Sequence, residues 1–234
     1  MDLVSISEKT YDSLPNRPLV EAVVEARGGL DHRPSFSVLV DLGCGTGSNM
    51  DSLKEEGFRC IGVSLSLQEA SVCFGKGHAS VVTDLSKGLP FRDRSLSVVI
   101  ASHVLEHLAE PWKLLRVLHR SMHPDGWLFV ALPNAVFLEQ RLRVLRGRWR
   151  YTEAGLLDYT HLRFYDLHSA RQLLEDNGFQ IVRERHTFWY PHAKLRRLPE
   201  RPTRAIFESI GRRFPNLLAY QFLFVTRPKP AVVW

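Results

Sequence analysis

The segment FSVLVDLGCGTGSNMDSLKEEG, residues 36 to 57, constrains the fold of this chain more than any other. FSVLVDL is too continuously apolar to keep one face wet, so it reads as a buried strand of a parallel sheet. It runs directly into three alternating glycines, Gly43, Gly45 and Gly47, and then into a helix that Gly57 ends. Such a turn brings backbone amides close to a ligand at a helix N-terminus. Two phosphate-binding patterns do not fit. A dinucleotide fingerprint needs glycine at 48, where Ser48 stands, and a P-loop needs a lysine that is absent. Asp41, at the strand end, would repel a pyrophosphate and suits a ligand carrying a cation.

The rest of the chain continues the alternation. PLVEAVVEARGG reads as a short first helix with Pro18 in its opening turn and Gly28 and Gly29 as its stop. Beyond the glycine turn, FRCIGV, ASVVTD, SLSVVIAS and GWLFVALP read as strands, and LQEASVCFGKG and PWKLLRVLHRSM as helices between them. This is the pattern of a parallel sheet wrapped by helices. After Pro133 the rhythm changes. Residues 134–149 read as an amphipathic helix, 151–166 as a loop, and SARQLLEDNG as a helix capped by Ser169 and stopped by Gly178. FQIVRERHTF and LLAYQFLFVTRP are the last strands, separated by a basic segment rich in Pro and Arg. No repeat or long linker divides the 234 residues, which are expected to form one domain.

Composition narrows the class of function. No run of about 18 apolar residues occurs, so a membrane span is not expected. The N-terminus lacks the apolar core of a signal peptide. Three cysteines without CxxC spacing argue against disulfides or a zinc site and for a reducing cytoplasm. The net charge of +6 admits an anionic partner. Five arginines in RLRVLRGRWR, with more in KLRRLPERPTR and GRRF, form either a solvated face or a basic rim. Such a rim would attract an acidic substrate or an anionic membrane surface.

Asp41 favours a ligand with an ammonium group and no phosphate, which describes S-adenosylmethionine. VDLGCGTG resembles the first motif of class I S-adenosylmethionine-dependent methyltransferases. The likeness continues in order through TDLSKGLPFRDRSLSVVIASHVLEHL and HRSMHPDGWLFVALPN, from residue 38 to about 134. GRWRYTEAGLLDYTHLRFYD resembles a narrower bacterial subgroup associated with sugars, surface polysaccharides and secondary metabolites. The resemblance implies an α/β, Rossmann-like, seven-stranded and mostly parallel sheet, with helices on both faces and an antiparallel last strand. It also implies lid or insertion segments at about 134–166 and 187–217 within a single domain spanning 1–234.

Carried over by position, the resemblance implies that Asp41, Gly43, Gly45 and Gly47 hold the methionine end of the cofactor. Asp84 with Leu85 would meet the adenine, and the 101–103 turn with Ser102 would face the sulfonium. One position departs from the family. Ser64, in GVSLS, stands where an Asp or Glu ordinarily takes both ribose hydroxyls. An aspartate at 64 is therefore expected to bind cofactor more tightly, unless Gln68 or Glu69 compensates.

The chemistry requires a nucleophile aligned with the methyl group and, for a hydroxyl, removal of its proton. Motifs expected of nucleic-acid amino or cytosine-C5 methylation are absent after the fourth strand, so DNA is not an expected substrate. YTEAGLLDYTHLRFYD is expected to act as a substrate lid, with His161 as general base and Asp158 orienting its ring. His107 is the second candidate base; Arg163 and Tyr165 would hold substrate or close the loop. Trp149, Phe164, Trp189 and Tyr190 are candidate stacking surfaces, whereas His186 and His192 are less informative. The leading reading is O-methylation of a small molecule or glycan, with no metal. An RNA methyltransferase and a non-catalytic relative of the same fold stand as alternatives.

Overall fold

The protein is described by a computed structural model covering residues 14–27, 37–188 and 200–230, with backbone alone for 200–204. Helix α1 (Arg17–Arg27) precedes strand β1 (Val38–Leu42), α2 (Ser48–Glu55), β2 (Arg59–Ser64), α3 (Leu67–Gly75) and β3 (Ala79–Val82). Then come β4 (Leu96–Ser102), a 3-10 turn (Leu105–His107), α4 (Pro111–Ser121) and β5 (Met122–Pro133). The last part contains α5 (Leu138–Leu145), α6 (Leu167–Glu175), β6 (Phe179–Phe188), α7 (Glu200–Arg213), α8 (Pro215–Leu218) and β7 (Ala219–Pro228).

The seven strands form one sheet in the order β3-β2-β1-β4-β5-β7-β6. Pairing is parallel from β3 to β5, and β7 runs antiparallel to both β5 and β6. Successive residues of a strand point to opposite faces, so apolar runs supply two cores at once. Val40, Leu42, Val99, Ala101 and Val130 pack with Leu114, Leu115 and Leu118 of α4 and Leu174 of α6. Leu39, Val98, Ile100 and Phe129 pack instead with Leu19 of α1 and with Met50 and Leu53 of α2. Helices therefore cover both faces, as a sheet with no wet side requires.

The structure departs from the sequence reading at several boundaries. Helix α5 stops at Leu145 rather than 149, because the chain turns through Gly147 at φ +67°. Helix α6 begins before Ser169: Asp166 is its N-cap, accepting the Ser169 amide at 2.8 Å, and the Ser169 hydroxyl returns the contact as a capping box. The basic insertion contains a real helix, α7, of 14 residues. Gly28 and Gly29, with Trp189, Tyr190 and His192, lie outside the described residues. Among the described residues no helix is long and apolar enough to cross a membrane.

Candidate active site

The glycine turn joins β1 to α2 at the carboxyl edge of the sheet. Gly43, Gly45 and Gly47 have φ of +66°, +52° and +88°, a region that side chains rarely occupy. A Cβ on Gly43 would lie 2.7 Å from Val104 Cγ2, so the turn that follows β4 packs directly on the glycine loop. The amides of Gly43 and Cys44 donate to Val63 O, tying the loop to β2.

Asp41 sits inside this turn, fully buried, and neither carboxyl oxygen has a hydrogen-bond partner among the described residues. Burial pushes its carboxyl well above the ordinary range; Asn49, in the first turn of α2, offsets this in part without a bond of ordinary geometry. A buried carboxyl without a partner is costly. The ammonium of S-adenosylmethionine would satisfy it, so the residues present fit that cofactor.

At the end of β2 the structure answers the Ser64 question. The Ser64 hydroxyl donates to Glu69 Oε2 at 2.5 Å and accepts the Ser66 amide at 2.9 Å. Ser64 and Glu69 are both buried, and Ser66 caps α3 by accepting the Glu69 amide at 3.4 Å. A carboxylate from the first turn of the helix thus stands against Ser64 at the strand end. Asp84 lies two residues beyond β3, and its Oδ1 accepts from both the amide (2.9 Å) and hydroxyl (2.6 Å) of Ser86. Leu85 packs against the core, and the Ser102 hydroxyl accepts from Asn16 Nδ2 at 3.1 Å.

The turn after β4 carries a dense polar cluster. His103 has φ +56°, an uncommon conformation for a side-chain-bearing residue. Its Nδ1 meets Glu106 Oε1 at 3.1 Å and its Nε2 meets Gln221 Oε1 at 2.7 Å. An acceptor at each nitrogen favours the protonated imidazole. Desolvation opposes that, but 40% of the side chain reaches solvent, and Glu106 raises the pKa overall. Burial pushes Glu106 upward in turn, and the His103 hydrogen bond and charge outweigh it, holding the carboxyl below its usual value. Glu106 Oε2, fully buried, has no partner among the described residues.

The 151–166 loop folds onto this turn. The amides of Leu162 and Arg163 both donate to Glu106 O, at 2.8 and 3.0 Å. Arg163 donates through Nε and Nη2 to Ala109 O at 3.0 and 2.6 Å, and its guanidinium stacks on Trp112. The Thr160 hydroxyl donates to Asp158 Oδ1 at 2.7 Å, so its oxygen accepts from His107 Nδ1 at 2.9 Å. His161 Nδ1 donates to Leu156 O at 2.9 Å, and its ring meets His107 edge-on, with centroids 4.6 Å apart. These partners assign a proton to Nδ1 of both rings. Burial keeps His107 below its usual pKa, with Glu106 opposing and His161 adding to the shift.

The structure therefore brings His107, Asp158 and His161 together, but in another order than the sequence suggests. Asp158 reaches His107 through Thr160; it does not orient His161. Arg163 closes the loop. The Tyr165 side chain is buried in the core, with its hydroxyl pKa raised by burial and no hydroxyl partner among the described residues. Trp149 is half-exposed and packs edge-on against Phe164. An open cavity of about 440 Å³ bordered by Trp112, Arg116, Arg163 and Gln172 lies between α4 and α6 and includes none of the glycine-turn residues. Sequence reasoning missed His103, Glu106 and Thr160, whose one signal was adjacency to the histidines.

A family model described as a methyltransferase domain matches residues 17–184. The chain is 23% identical over 189 residues to an uncharacterized protein of Methanocaldococcus jannaschii, covering 74% of this chain and 73% of that one. It is 29% identical over 156 residues to a probable S-adenosylmethionine-dependent methyltransferase of Mycolicibacterium smegmatis, covering 65% of this chain and 55% of that protein. In fold it resembles a SAM-dependent methyltransferase from Archaeoglobus fulgidus, with TM-score 0.61, 23% identity and coverage of 89% and 94%. With the family model matched across residues 17–184, the chain belongs to the methyltransferase-domain family and is an S-adenosylmethionine-dependent methyltransferase.

Proposed function

We propose that the acceptor is a hydroxyl of a small molecule or glycan and that its proton is lost at the cluster formed by Glu106, His107 and His161. One observation carries this reading: two imidazoles, each with its Nδ1 engaged, meet edge-on beside the turn that packs on the glycine loop. The cofactor supplies a methyl group already activated on sulfonium, so the protein's share is alignment and proton removal. A neutral amine acceptor would attack without prior proton removal and would leave such a cluster without a task. Half-exposed Trp149 and exposed Tyr151 and Tyr159 offer faces for a sugar or aromatic ring. The arginines of 141–150 would favour an acceptor bearing phosphate or carboxylate.

The test is methyl transfer from isotopically labelled S-adenosylmethionine to a panel of sugar nucleotides, phenols, hydroxy acids and amines, read by mass spectrometry. Label on oxygen supports the reading. Transfer confined to amines or carbon acceptors overturns it.

A further inference from the structure

We propose that Glu106, His107 and His161 hold a divalent first-row transition-metal ion that binds the acceptor hydroxyl; the catalytic part of this proposal rests on the hydroxyl-acceptor reading above. One ligand atom from each of the three residues lies within 4.8 Å of the others. Three further observations point to an ion. First, Glu106 Oε2 is fully buried and without a partner among the described residues, although Glu106 Oε1 is engaged by His103. Second, both imidazoles donate their Nδ1 hydrogen, one to Leu156 O and one to the Thr160 hydroxyl that Asp158 accepts. That is the outer arrangement by which metal-ligating histidines are oriented and made more basic. Third, the ligands come from two segments, the 3-10 turn and the loop, held together by the Leu162 and Arg163 amides on Glu106 O. The backbone thus fixes the two halves without using a ligand atom.

Two imidazoles and one carboxylate on one side of an ion leave its remaining positions open to water or substrate. Methyl transfer is redox-neutral, so the ion acts as a Lewis acid. A bound acceptor hydroxyl loses its proton to solvent water. Its oxygen then forms the bond to the methyl carbon as the carbon–sulfur bond breaks, and that electron pair stays on sulfur. The sulfonium charge is cancelled and one proton is released, so charge and atoms balance. The histidines then act through the ion and do not take the proton themselves.

The experiment uses the untagged full chain, treated with chelator, dialysed and titrated with Co(II), following visible d–d absorption and bound metal by elemental analysis. Saturable binding of one Co(II) per chain is expected, abolished in Glu106→Gln and in His161→Gln. Thr160→Val, which removes the acceptor for His107 Nδ1, should weaken binding by roughly 10–100-fold. S-adenosylmethionine titration of each variant establishes that it is folded. Absence of saturable Co(II) binding by the wild type overturns the proposal, as does undiminished binding by folded Glu106→Gln and His161→Gln. Hydroxyl methylation that persists fully in chelator overturns the metal's catalytic role and keeps the hydroxyl reading. Saturable Co(II) binding in a protein that methylates only amines keeps the metal site and overturns the hydroxyl reading.

Discussion

The Ser64 hydroxyl and the Glu69 carboxylate meet at 2.5 Å, joining the end of β2 to the first turn of α3 through one short hydrogen bond. This reverses the expectation for an acidic substitution at 64. Ser64→Asp would set a second carboxylate against Glu69 in a buried place, so it should weaken S-adenosylmethionine binding and lower stability. Glu69→Gln should weaken cofactor binding by about 1.5–3 kcal/mol, the size of a hydrogen bond to a charged group. Calorimetric titration of both variants checks this, and tighter binding by Ser64→Asp would return the ribose site to the strand end.

Asp41 makes cofactor binding and pH interdependent. Its pKa is raised by burial in the ligand-free fold, whereas in the unfolded chain it is near ~3.9. Below that ordinary value both states are protonated and the group contributes nothing. As pH rises, the unfolded chain releases its proton first, so the ligand-free protein loses stability until the raised native value is passed. A bound ammonium favours the carboxylate and cancels the loss. Melting temperatures measured with and without S-adenosylmethionine should therefore diverge more near neutrality than in acid. Asp41→Asn should abolish that divergence and melt no lower than wild type without ligand.

Gly43 is the tightest point of the turn. Gly43→Ala adds a left-handed backbone cost of about 1–2 kcal/mol and a Cβ 2.7 Å from Val104 Cγ2. Urea unfolding should show the loss. In the Gly43→Ala/Val104→Ala background the steric contact is gone but the backbone cost remains. Cofactor affinity should fall in both, since the loop amides shift with the backbone.

The loop depends on Arg163. Its two donations to Ala109 O and its stacking on Trp112 need a planar fork, which lysine lacks. Arg163→Lys and Arg163→Ala should both speed proteolytic cleavage within 148–155 and lower turnover, while leaving S-adenosylmethionine affinity unchanged. Equal cleavage rates in wild type and variants would mean that the Leu162 and Arg163 amides suffice.

What could be read from the sequence was local. The strand, three glycines and helix sit in one contiguous segment, and the alternation after it dictates a parallel sheet. Asp41 could be read because a carboxylate against glycine amides has few ligands to suit. Glu69 was visible as an acid in the first turn of its helix, though nothing local says its side chain turns back to Ser64. The polar cluster was half legible. His107 and His161 stood out by type, but Glu106 became informative only once burial left Oε2 without a partner. Asp158 stands three residues before His161 in the loop, which suggested that its carboxylate orients the ring. The segment is not helical, and Thr160 takes the carboxylate instead. Gln221, which reaches His103 across 118 residues, has no sequence signal at all.

Strand β7 is inserted between β5 and β6, and its Gln221 braces both Asn16 and His103. Strands β1 through β5 pair with one another without β7, but the turn at 103–107 takes its brace from β7. A fragment truncated before β7 would carry the glycine turn and both histidines yet lack the Gln221 brace on His103, whose φ is positive. The geometry of the turn after β4 thus rests on a side chain that follows it by 118 residues.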